Sequence, residues 1–99
     1  MSVIEQRQTR PQLLFFYDPT DGRARRVEGF IAQGLQRRRN HDALAIRRID
    51  VRAHADLVER FGVEVTPALV VVHDRRVRGR LELPRGCQAI ATLLQPWLH

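Results

Sequence analysis

The sequence has no lysine. All 17 of its basic residues are arginine, set against 11 acidic residues, and the formal charge is +6. A uniform arginine bias follows genomic base composition as readily as selection at each site. The charge therefore favours anionic partners without naming one. Cysteine occurs once, at Cys87, which excludes an intrachain disulfide and any cycling dithiol. No apolar run exceeds five residues, far too short to cross a bilayer, so no membrane partner is expected. The first ten residues hold no hydrophobic signal core, and the expected location is cytoplasmic. His41, His54, His73 and His99 lack ligand-type spacing, so neither a metal nor another cofactor is expected.

What is present fits one soluble α/β domain. Ninety-nine residues, 43% apolar and 28% charged, suffice for one modest core and not for two. Residues 1–10 read as a polar N-terminal arm and 11–99 as the domain.

Leu13-Leu-Phe-Phe-Tyr17 reads as a strand buried on both faces, with Pro11 at its edge. Asp18-Pro-Thr-Asp-Gly22 is a dense turn signal, and Asp21 suits a helix N-cap. Val27, Phe30, Ile31, Gly34 and Leu35 then fall on one helical face. Arg37-Arg-Arg39 and Asn40 read as the end of that helix. Ala43–Val51 reads as a second strand, broken enough in its alternation to suggest a bulge or an early end.

His54–Phe61 reads as a short helix stopped by Gly62, and Ala68–Val72 as a third strand after Thr66-Pro67. A short turn at 73–76 and alternation through Val77–Leu83 predict an antiparallel hairpin. Cys87–Leu98 reads as the last helix, with Pro96 weakening its final turn. The expected order is β-α-β-α-β-β-α, a mixed four-stranded sheet flanked by helices. Its helical crossovers suggest that the first three strands are parallel.

Three segments carry a resemblance to the thioredoxin-like superfamily, spanning about Gln12 to Leu98. Leu14–Arg25 stands where thioredoxins place a strand and their active-site loop. Ile49-Asp50-Val51, with the short helix ending Glu59-Arg-Phe-Gly-Val63, resembles the family's middle segment. Thr66-Pro67, the apolar strand and Asp74-Arg-Arg-Val77 resemble its cis-proline loop and hairpin, the most specific of the three. The departures are equally clear. The family's Cys-x-x-Cys falls on Asp21-Gly22-Arg23-Ala24, and Phe15 stands where thioredoxins bury an acid. The N-terminal β-α unit of full thioredoxins has no counterpart in this pattern.

The resemblance without the dithiol implies a redox-inactive module that binds a protein or peptide. The candidate surface is Tyr17, Asp18, Thr20, Asp21, Gly22, Arg23, Arg25 and Arg26 of the loop, with Thr66 and Pro67 as a backbone edge. The plain reading of the loop is a capped helix start with solvated arginines. The alternative is an anion site built from free helix N–H groups and Arg23, Arg25 or Arg26. A second function would be a single-thiol, glutathione- or thiol-linked enzyme at Cys87. The expected role of Cys87 is nevertheless that of a small apolar filler. A third function is anion or nucleic-acid binding through the arginines. These are spread over separate elements, and only Tyr17 among the aromatics suits base stacking.

Overall fold

The computed structural model describes residues 10–35 and 43–98. Strand β1 is Gln12–Tyr17, helix α1 Arg23–Gly34, β2 Ala45–Asp50 and α2 Ala55–Arg60. Strands β3, Ala68–His73, and β4, Arg76–Glu82, precede α3, Cys87–Leu94, and a 3₁₀ turn at Gln95–Trp97. The four strands form one sheet in the order β2-β1-β3-β4. Residues 1–9 of the expected arm (1–10), and the helix end at Arg37–Asn40, lie outside the described residues.

The central strands are continuous apolar runs because both of their faces are covered. Leu13, Phe15, Leu69 and Val71 pack with Val27 and Ile31 of α1 and with Ile90 and Leu94 of α3. Leu14, Phe16, Ala68 and Val70 point the other way, onto Leu57, Val63 and the half-buried Val58 and Phe61. The Phe16 and Phe61 rings tilt against each other at 5.9 Å. Full burial of each large side chain contributes about 1.5–3 kcal/mol, so these two layers dominate the stability of the sheet.

The strand directions correct one expectation. β1 and β2 are parallel, but β3 runs antiparallel to β1, and β4 antiparallel to β3. Helix lengths give the reason. The 12 residues of α1 span about 18 Å, enough to carry the chain back along a strand of about 20 Å. The six residues of α2 span only about 9 Å. The chain therefore re-enters the sheet at the end where β2 leaves it.

α2 closes as its sequence suggests. Gly62 takes φ +62°, its N–H donates to Glu59 O at 3.2 Å, and the Val63 N–H donates to Val58 O at 3.0 Å. That pair of bonds is a Schellman stop, with Val63 and Val58 in the same apolar cluster.

β2 holds no bulge: its register with β1 is unbroken from Gln12/Ala45 to Tyr17/Asp50. Its alternation only looked broken, because the apolar residues change face along an edge strand. Leu44 joins the α1 side, Ile49 the α2 side, and Ile46 is 45% exposed. The irregularity falls instead between β3 and β4, at Val71/Val72. Val71 pairs with Gly79 and Val72 with Val77, so Arg78 is the extra residue. The hairpin turn is Asp74-Arg75, both at positive φ, as a two-residue connection between twisted strands requires.

Candidate functional site

Antiparallel pairing sets three connections at one end of the sheet. Ala68, the first residue of β3, is paired with Phe16 near the end of β1 and with Glu82 at the end of β4. The loops before α1, before β3 and after β4 therefore meet. The Leu83 N–H donates to Pro67 O at 2.9 Å, and Arg23 Nη2 lies 3.5 Å from Thr66 O. The Thr66–Pro67 peptide bond is cis. A groove of about 230 Å³ opens here, lined by Arg23, Arg26, Pro67, Leu83, Pro84 and Arg85.

The loop itself is tied by its own carboxylates. Asp21 Oδ1 accepts the Arg23 N–H at 3.0 Å, so Asp21 does bond to the first turn, from one position before the terminal Gly22. The Arg23 guanidinium closes on the same carboxylate, with Nε 2.9 Å from Oδ2 and Nη2 2.5 Å from it. Hydrogen bonds from the Arg23 side chain and then its N–H hold the Asp21 carboxyl below its ordinary value. The same pairing raises the Arg23 guanidinium. Asp18 Oδ1 accepts the Thr20 hydroxyl at 2.7 Å and the Thr20 N–H at 2.9 Å, which lowers its pKa in turn. Arg52 Nε approaches Asp18 at 3.5 Å.

These bonds take up the helix N–H groups on which the anion-site alternative drew, and leave its arginines untested. The Arg23 N–H is held by Asp21 Oδ1, the Ala24 N–H by Asp21 O and the Arg25 N–H by Gly22 O. The start of α1 thus has no open cluster of N–H groups, and its own aspartate occupies the position of an incoming anion.

Some of the candidate residues line two grooves, while Asp18, Thr20, Asp21, Gly22 and Thr66 line neither. Arg23, Arg26 and Pro67 share the first. Tyr17 and Arg25 belong to a second groove, of about 240 Å³, with Phe15, Ala24, Glu28 and Arg48. There Arg48 Nε pairs with Glu28 Oε2 at 2.6 Å, and the Tyr17 ring lies 5.6 Å from that of Phe15. Tyr17 is thus half-buried against a core residue rather than presented for stacking. The first groove also takes in Leu83, Pro84 and Arg85, which the sequence does not single out, because nothing along the chain identifies the loop they face.

The segment before Pro67 adds a polar edge. Among the described residues, the N–H groups of Glu64, Val65 and Thr66 donate to no backbone or side-chain acceptor. Val65 is an exposed apolar side chain on the same segment. Cys87 corrects a further expectation: it is exposed, not a core filler. It opens α3, whose inward face is taken by Ile90 and Leu94 instead.

No family model and no curated protein matches this chain. Solved structures do. A thioredoxin variant from Halobacterium salinarum superposes with a TM-score of 0.74 and 21% identity, over 90% of this chain and 75% of that one. The germline thioredoxin Deadhead from Drosophila melanogaster gives 0.77 and 18%, over 90% and 82%. This chain has a thioredoxin-like fold. Mitochondrial thioredoxin 3 from Saccharomyces cerevisiae agrees, with 0.76 and 16% over 90% and 80% of the two chains. At such identities the likeness concerns the fold. In this thioredoxin-like domain the first groove is lined by cations and apolar carbon, with no nucleophile or general base among its lining residues. Among the described residues no His/Cys/Asp/Glu group could hold a metal, and no helix is long and apolar enough to cross a membrane.

Proposed function

We propose that this is a redox-inactive thioredoxin-like domain that binds an extended segment of a partner protein. The segment lies across the Asp18–Arg26 loop and the Glu64–Pro67 edge. One observation carries the reading: the backbone donors at 64–66, unpaired among the described residues, lead directly into Pro67, which lines the groove with Arg23 and Arg26. An extended peptide supplies the carbonyls those donors lack and side chains for the groove, the chemistry of strand addition. The single cysteine supports the redox-inactive part, since disulfide exchange within one chain needs two.

Site-specific photo-crosslinking in native lysate tests this reading. A photoreactive residue at Val65 should trap a discrete partner, and the same residue at Gln33, on the exposed face of α1, should not. Identical products from both positions would refute the assigned surface. An insulin-reduction assay completes the test, with the protein expected to add nothing to the rate set by dithiothreitol alone.

The exposure of Cys87, two residues after Arg85 of the groove, supports a second reading as a single-thiol enzyme. Glutathione-linked turnover abolished by Cys87→Ser would establish that reading instead.

A further inference from the structure

We propose that the groove beside Pro67 takes an aspartate or glutamate side chain of the partner segment, gripped by Arg26 and Arg85. The proposal rests on the peptide-binding reading and adds the chemistry of its ligand. The arginines around the groove are not equivalent. Arg23 is neutralised by Asp21, and Arg52, on the β2–α2 connection, faces Asp18. The nearest carboxylate along β4, Glu82, faces Arg80 at 3.6 Å. Arg26 and Arg85 have no ion pair or hydrogen bond among the described residues, and both are exposed. They come from different elements, the first turns of α1 and the β4–α3 connection, yet line one groove. Two uncompensated guanidinium groups beside one concavity repel each other. An incoming carboxylate relieves that repulsion and accepts charge-assisted hydrogen bonds from both.

Size and lining point to a side chain of a larger partner rather than a free small molecule. At about 230 Å³ the groove falls below the roughly 300–1,000 Å³ of small-ligand pockets. Pro67, Leu83 and Pro84 supply an apolar wall next to the two cations. An extended chain shows one face every second residue, so the acid would sit two positions from an apolar side chain resting on that wall. Nucleic acid fits less well. No aromatic ring lines the groove for a base to stack on.

The test is a selection of short random peptides displayed on phage, run in parallel against the wild-type protein and the Arg26→Gln/Arg85→Gln double variant. The wild type should enrich an aspartate or glutamate at one position, with an apolar residue two positions away. The double variant should lose the acid and keep the apolar preference. Each single Arg→Gln change should weaken a selected acidic peptide about fivefold, while leaving its Asn or Gln counterpart unchanged. Both arginines are exposed, so an unchanged melting temperature is expected and is measured alongside. A charge-reversed Arg26→Glu/Arg85→Glu variant should instead select lysine or arginine at that position. Peptides enriched without an acid, or the same acid chosen by wild type and double variant, would overturn the inference and leave the peptide-binding reading standing. No enrichment by the wild type would overturn both.

Discussion

Ile49 and Ile90 are each 1% exposed, but they lie on opposite faces of the sheet. Ile49→Val and Ile90→Val each remove one buried methyl group, at a cost of about 1 kcal/mol. Truncation to alanine would cost about 2–5 kcal/mol per site, and a domain of this size holds only about 5–15 kcal/mol in all, so valine keeps both singles and the double folded. Each single variant should lower Tm by about 4–8 °C. The double should lose the sum, within about 0.5 kcal/mol, because two layers of β1 and β3 side chains separate the sites. Urea unfolding is followed by Trp97 fluorescence and by far-UV circular dichroism, and coincident curves license the free-energy difference. A coupling clearly above 0.5 kcal/mol, in about the range set by residues in contact, would refute the two-layer core. A single variant with no measurable loss would refute the burial of its site.

Gly62→Ala should cost about 1 kcal/mol in the same unfolding assay, because the Schellman stop needs φ +62° at that position. Replacing Asp74-Arg75 by Asn-Gly should stabilise the hairpin by a few tenths of a kcal/mol to about 1 kcal/mol, since both positions hold positive φ without glycine. Asp18 and Asp21 have folded pKa values below 3.8, so their stabilisation is present above that pH and is lost as pH falls through the folded values. An Asp18→Asn/Asp21→Asn variant should therefore show a shallower loss of stability than wild type in acid titrations below about pH 4. Cys87 should react with Ellman's reagent in the native protein as fast as in urea; protection by folding would contradict its exposure.

Some elements were legible because a single local cause makes them. The run Leu13–Phe16 is apolar at every position because it is covered on both faces. Gly62 ends α2 because only a residue at ease with positive φ completes that stop. Ile46 and Ile49 misled because an edge strand lets its apolar residues change face without a bulge. Cys87 misled because a small apolar residue at the start of an amphipathic helix looks the same in sequence whether it faces in or out. Arg85 was illegible as a site residue because nothing near it in the chain refers to Arg26, which it meets only across the folded sheet.

Strand direction decides whether a site exists at all. Hydrophobic pattern carries no direction: Ala68–Val72 is equally apolar read either way along the sheet. Had β3 run parallel to β1, Pro67 would lie beside Gln12, a strand length of about 20 Å from the loop that follows Tyr17. The loop and the cis-proline edge could not then form one surface. With β3 antiparallel, Pro67 comes beside the end of β1, and the hairpin returns Leu83, Pro84 and Arg85 to the same place. The shortness of α2 is thus the local feature with the widest consequence. A helix twice its length could have carried the chain back to the far end of the sheet, leaving Arg23 and Arg26 as solvated side chains on a capped helix.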